Sequence, residues 1–309
     1  MIAKLQSELR VRLLKNSWRE CLTFAVLSLH NKSVLNTQSG DYMPVISLMT
    51  DFGLKDGNVG VMKGVIWKIA PNAQISDLSH LIAPQNIREA ALILYRSAPY
   101  FPKNSIHVVV VDPGVGTARR PMAALIGNQY YVGPDNGTIT LLLEQAESEG
   151  GKTFFVHLNQ SEYWLSNVSH VFHGRDIFAP VAAHLSLGVP LTMLGTPFDN
   201  PVRLELPKPE KTAFGWKGEV IHIDHFGNVA SNIRVENLAE ALNEKDKINV
   251  RLAGVEIHGL VNTFGERPVG ELIALLGSTG NLIVSVVNGS AQERLNVKVG
   301  DSFEAVIEE

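Results

Sequence analysis

A single cysteine, Cys21, occurs among 309 residues, so no internal disulfide can form. Without paired cysteines or a close His and Cys set, a structural zinc site has no support either. No run of eighteen apolar residues is present, which leaves no transmembrane helix and no expected membrane partner. Positive charge is not in surplus: the formal net charge is −4, which argues against a nucleic-acid backbone as the main partner. A reducing compartment, the cytoplasm, and a small-molecule ligand are therefore expected. What is present is ordinary for a folded globular chain, with 45% hydrophobic and 19% charged residues. The length suggests roughly two domains.

The first 42 residues stand apart. Lys4, Arg10, Arg12, Lys15 and Arg19 precede an apolar run from Cys21 to Leu29, an arrangement that superficially resembles a signal peptide. The basic region is long, no small-x-small cleavage site follows Leu29, and a polar stretch runs from His30 to Asp41. The expectation is a leader or non-native extension ahead of Met43, with an added amphipathic helix as the alternative.

From Val45 onward, short apolar runs alternate with helical patterns, as in crossover units on a mostly parallel sheet. Strands are expected at 45–49, 74–78, 106–111, 122–126 and 129–132, and helices at 57–69, 86–97, from the 134–137 turn to 147, and 177–187. Pro207, Pro209 and Gly215 mark residues 206–215 as a linker. Strands are then expected at 218–223, 248–252, 255–260, 272–276, 282–287 and 303–307. The fold expected is α/β: an N-terminal mostly parallel sheet with flanking helices over 43–205, plus a smaller C-terminal all-β barrel-like domain over 216–309.

Four polar clusters fall where apolar strands end or a helix begins, and the ends of strands are where α/β sheets present ligand-binding groups. Thr50-Asp51-Phe52-Gly53 puts a carboxylate directly after a strand, able to accept from a sugar diol or merely to cap a turn. Val111-Asp112-Pro113-Gly114-Val115-Gly116-Thr117-Ala118-Arg119-Arg120 joins an acid, a glycine turn and two cations. In Phe172-His173-Gly174-Arg175-Asp176, Arg175 or Asp176 can serve helix entry, while His173 is either structural or a group that orients proton transfer. His222-Ile223-Asp224-His225-Phe226-Gly227-Asn228 is either a hairpin turn or a set that holds an amine, stacks on a base and reads an amide edge. No metal set is complete.

These clusters resemble the family of S-adenosylmethionine hydroxide adenosyltransferases and the related S-adenosylmethionine-dependent fluorinase and chlorinase. The resemblance runs from about Pro44 to the C-terminus, on TDFG at 50–53, VDPGVGTARR at 111–120, PDNG at 134–137, FHGRD at 172–176 and IDHFGN at 223–228. It implies an α/β domain joined to a β-rich domain, and homotrimers with the substrate between neighbouring subunits. It assigns Asp51 to the ribose hydroxyls, Asp224 and Ser278 to the methionine portion, Asn228 and, less directly, Asn288 to the adenine, with Phe226 touching the ligand. Asp112, Arg119 and His173 match the set of the hydroxide-using members, which implies hydrolysis to adenosine and methionine with no cofactor or metal.

The halide pocket of the fluorinase has a small hydroxyl residue where Gly174 stands, and its long insertion has no counterpart after Ile126. Gln85 and Ala230 replace aromatic residues. The alternatives are a halide transferase of the same family and a non-catalytic nucleoside-binding sensor.

Overall fold

The computed structural model describes residues 44–308, so the expected leader at 1–42 lies outside the described residues. The chain opens with strand β1 (Ile46–Thr50), helix α1 (Asn58–Ile69), β2 (Ile75–Ser79), α2 (Ile87–Ser97) and β3 (Ile106–Val110). It continues through β4 (Pro121–Ile126), β5 (Gln129–Pro134), α3 (Thr140–Ser148), β6 (Thr153–Leu158), α4 (Ala179–Ser186) and β7 (Gly195–Phe198). These strands form one seven-stranded sheet in the order β2-β1-β3-β5-β4-β6-β7.

Parallel pairing joins β2, β1, β3 and β5, whereas β4, β6 and β7 pair antiparallel. The sheet is thus mixed, because β4 and β5 are joined by the tight Gly127-Asn128 turn, and a hairpin can only run antiparallel. The sequence patterns did not suggest β6 or β7; β7 is a four-residue strand at the sheet edge, where little periodicity accumulates, and β6 lies between it and β4.

Side chains alternate between two faces. Leu48, Val108 and Val110 pack with Met62 and Ile66 of α1 and with Val181 and Leu185 of α4. Met49, Val109 and Val111 pack with Ala90 and Leu94 of α2 and with Leu142 and Leu143 of α3. Both faces are covered, which is why β1 and β3 are buried at every position and are mostly apolar, with Ser47, Thr50 and His107 as buried polar exceptions. Asn86, expected within the second helix, caps it instead, its side chain accepting from Glu89 N at 3.1 Å.

The remainder forms β8 (Glu210–Thr212), β9 (Gly215–Ile223), β10 (Val229–Arg234), β11 (Ile248–Leu252), β12 (Val255–Ile257), β13 (Leu260–Val261), β14 (Leu272–Leu276), β15 (Asn281–Val286), helix α5 (Ala291–Leu295) and β16 (Ser302–Ile307). They build a second, nine-stranded sheet in the order β12-β11-β16-β9-β10-β15-β14-β13, with β8 also on β9. The sheet curls until β12 lies against β14, enclosing Val220, Val250, Leu282 and Phe303. Within the stretch expected as a linker, Glu210–Thr212 hairpins onto the start of β9. Strands β8 and β10 and helix α5 are additions to the expected elements; the Gly227-Asn228 turn hides the start of β10.

Candidate active site

The exits of β1 and β3 lie side by side, since Thr50 pairs in register with Val110. Asp51 and Asp112 therefore leave the same edge of the sheet, at the carboxyl ends of parallel strands. Asn136 steadies the second exit by donating to the carbonyl of Val111 at 2.8 Å.

The loop after Asp112 folds back on itself. Thr117 donates to Gly114 O at 2.7 Å, and Arg119 N donates to Thr117 Oγ1 at 3.3 Å. Arg119 Nε then reaches Asp112 Oδ1 at 3.0 Å, and a terminal nitrogen of the guanidinium pairs with Asp112 Oδ2. The pair is bidentate and almost wholly buried. Gly116, at φ +75°, lies so close to the backbone of His170 that a Cβ would meet its carbonyl oxygen at 2.2 Å. Glycine there lets the 112–119 loop dock on the segment that carries His173.

His173 opens the turn into the fourth helix. Residues Gly174–Phe178, which the sequence suggested would be loop and helix start, form a π-helical turn that runs into α4. Arg119 stands 3.1 Å from His173 Nδ1 and 5.4 Å from the Phe178 ring centre. Burial lowers the His173 pKa, and the Arg119 charge lowers it further, against smaller opposing effects of Asp112 and Asp176. One arginine thus ties an acid and a histidine that are far apart in sequence.

Asp176 serves structure. It is fully buried, accepts from Ser169 N at 2.8 Å and pairs with Arg175. Burial pushes its carboxyl up, but the hydrogen bonds from Arg175 and Ser169 outweigh that and hold it below the usual carboxylate range. Arg120, next to Arg119, is structural as well, bonded to Asp135 and Asn200.

Asp51 Oδ2 accepts from Gln85 N at 2.8 Å, and Phe52 meets Phe172 edge-on at 5.6 Å between ring centres. Asp51 therefore shares its neighbourhood with the Asp112, Arg119 and His173 group. The second sheet holds the other expected residues.

Asp224 Oδ1 accepts from Phe226 N and Asn228 N, each at 2.9 Å, and Oδ2 accepts from Asn228 Nδ2 at 2.8 Å. The hairpin alternative explains those contacts fully. It also leaves Phe226 at the loop tip, 73% exposed. This loop docks beside Asn288, because Gln292 N donates to Gly227 O at 3.0 Å and Gly227 abuts Ser290. Ser278 lies elsewhere, in the β14–β15 turn at the opposite end of the β10–β15 pair. Among the described residues no hydrogen bond joins the Asp51, Asp112 and His173 group to the Asp224 loop.

The sequence reading passed over His80 and Arg96. His80 is buried against Thr50. Arg96, on the last turn of α2, has its pKa lowered by burial, against the opposing charge of Asp224, and its Nε has no hydrogen-bond partner. Their only sequence signal was a polar residue at the end of an apolar pattern. A cavity of about 560 Å³ opens between α2 and β9, lined by Leu92, Tyr95, Ile221 and His222, and it contains none of the expected catalytic residues. Among the described residues no group of three His, Cys, Asp or Glu side chains is placed to hold a metal ion, and no helix is long and apolar enough to cross a membrane.

Residues 46–195 match the S-adenosylmethionine hydroxide adenosyltransferase N-terminal domain, and residues 218–304 match the C-terminal domain of that family. A Salinispora tropica protein named (R)-S-adenosyl-L-methionine hydrolase is 42% identical over 263 residues, covering 84% of this chain and 96% of its own. A fluorinase of an Actinoplanes species is 27% identical, covering 83% of this chain and 95% of its own. The crystal structure of an uncharacterized conserved protein from Thermotoga maritima superposes with a TM-score of 0.79 at 39% identity, covering 85% of this chain and all of that one. With both domain matches in order and the identities this high, the chain belongs to the S-adenosylmethionine hydroxide adenosyltransferase family.

Proposed function

We propose that this protein hydrolyses S-adenosyl-L-methionine to adenosine and L-methionine, acting on the (R) sulfonium form named for its relative. The observation that carries the reading is the Asp112–Arg119–His173 group at the strand exits beside Asp51. The sulfonium makes the 5′ carbon electrophilic, and the departing thioether is neutral, so the leaving group needs no acid. The work lies in the attacking water, whose pKa of about 15.7 in bulk leaves little hydroxide at neutral pH.

Because the Arg119 guanidinium can only donate, His173 Nδ1 accepts from it, and the ring proton resides on Nε2. His173 then donates from Nε2 to the water oxygen, and Asp112 accepts a water proton. The new bond forms between that oxygen and the 5′ carbon while the carbon–sulfur electron pair leaves with methionine, and the proton passes from Asp112 to solvent. Near-attack positioning of this kind supplies on the order of 7–11 kcal/mol at its upper end. The scheme asks for no metal or other cofactor.

Asp51 holds the ribose diol, and the Asp224, Phe226, Asn228 and Asn288 region takes methionine and adenine, with Ser278 on the methionine portion. The separation of these groups within one chain supports a homotrimer in which neighbouring copies complete each site in the cytoplasm. At Gly174, a Cβ would stand 3.3 Å from both Met62 Sδ and Val110 Cγ1, which disfavours the hydroxyl residue of a halide pocket. Product analysis with S-adenosylmethionine, with and without chloride, tests the reading. Adenosine and methionine in both cases support it; a 5′-chloronucleoside, or intact substrate, overturns it.

A further inference from the structure

His80 follows directly on β2 and is 4% exposed, a polar ring almost wholly withdrawn from solvent. A polar ring in such a place costs free energy unless its nitrogens are satisfied. His80 Nδ1 lies 2.9 Å from Oγ1 of Thr50, itself fully buried at the end of β1. Nε2 stands 3.0 Å from Asp77 Oδ1, off the hydrogen-bond direction, and Asp77 is held in turn by Lys63 at 2.6 Å. A ring proton on Nε2 faces that carboxylate, which makes Nδ1 the acceptor of the Thr50 hydroxyl.

The same histidine grips the other side of the loop. Thr50 Oγ1 accepts from Phe52 N at 3.2 Å, and the His80 carbonyl accepts from Gly53 N at 2.8 Å. Asp51 is thus clamped between two residues that His80 fixes, one through its side chain and one through its backbone. The segment that begins at His80 returns at Gln85, whose backbone sits at φ 64° and whose N–H donates to Asp51 Oδ2. Among the described residues the hydrogen bond to the Asp51 carboxylate thus comes from the segment that follows His80, which Glu89 also holds by accepting from Ala83 N at 2.9 Å.

We infer that His80 is a positioning residue that sets the orientation of Asp51 through Thr50, and so tunes the grip on the ribose diol. The inference rests on the reading that Asp51 receives that diol. It makes a distinction that a packing role would not. Asparagine can place an amide atom where Nδ1 stands and keep the Thr50 bond, whereas glutamine places one near Nε2 and cannot.

The test is calorimetric binding of adenosine and of 2′,3′-dideoxyadenosine to wild type, His80→Leu, His80→Asn, His80→Gln, Thr50→Val and Asp51→Asn. His80→Leu and Thr50→Val are expected to cut the preference for adenosine by about tenfold, His80→Asn to restore most of it, and His80→Gln to restore little. In turnover, KM should rise more than kcat falls. If His80→Leu does not fold, Thr50→Val carries the same expectation.

An unchanged preference in Thr50→Val, or equal rescue by asparagine and glutamine, overturns the inference while leaving the Asp51 assignment standing if Asp51→Asn abolishes the preference. An unchanged preference in Asp51→Asn overturns both.

Discussion

Arg119 approaches His173 through Nδ1, at 3.1 Å, while holding both carboxylate oxygens of Asp112. That contact decides the chemistry available to the histidine. A nitrogen that accepts from a guanidinium is poorly placed to take a proton, so the neutral imidazole becomes a donor through Nε2.

The pH dependence follows with a definite sign. Neutral His173 is the active form, and burial together with Arg119 disfavours the imidazolium, lowering its pKa from 6.5. The acid limb of kcat/KM should therefore lie below pH 6.5. Arg119→Gln removes the largest of the charge influences that lower the His173 pKa, so the residual activity of that variant should show its acid limb moved to higher pH. A limb at the same pH in both proteins contradicts the assignment.

Asp112 separates stability from chemistry. Asp112→Ala strands a buried arginine, and breaking a buried pair in this way costs about 3–5 kcal/mol, readable in urea unfolding. Asp112→Asn keeps the shape and should unfold nearer to wild type, while kcat falls by roughly 10²–10⁴ with KM little changed. Wild-type kcat in a folded Asp112→Asn protein would remove Asp112 from the reaction.

His107, the second residue of β3, governs acid stability. It is fully buried, 2.6 Å from Ser47 Oγ and stacked on Tyr131, and burial lowers its pKa to about 4. Above 6.5 both folded and unfolded chains carry it neutral; between 6.5 and about 4 only the unfolded chain binds the proton. Stability should therefore fall as pH drops through that window, by about 3 kcal/mol in all. His107→Gln should flatten this part of the profile in urea midpoints measured from pH 7 to pH 4. An equally steep profile in the variant would assign the loss to other groups.

The legible part of the fold was the buried parallel core. Strands β1 and β3 announced themselves because both faces are covered, and the motifs at their ends were visible as acids abruptly following apolar runs. Strand β7 was not read because it is a four-residue edge strand, and β6 and β10 were not read because each follows turn residues, Gly150-Gly151 and Gly227-Asn228, that mask where the strand begins. The Asp112–Arg119–His173 contact came only from resemblance; nothing in the spacing of residues 112 and 173 says that a glycine at 116 lets their loops meet. His80 carried no motif at all, because its role depends on a cross-strand neighbour thirty positions away.

Phe226 tests the second sheet. It is 73% exposed and makes no core contact, so Phe226→Ala should change unfolding stability by no more than about 0.5 kcal/mol. If the loop tip closes over substrate from a neighbouring copy, KM for S-adenosylmethionine should rise several-fold with kcat less affected. An unchanged KM would place the ligand away from this loop.

The central claim is that water attacks the 5′ carbon. Turnover of S-adenosylmethionine in ¹⁸O-labelled water, followed by mass spectrometry of the nucleoside, reads that bond directly. The account predicts one labelled oxygen in adenosine, at the 5′ position, and none in methionine; unlabelled adenosine, or methylthioadenosine as the nucleoside product, would contradict it.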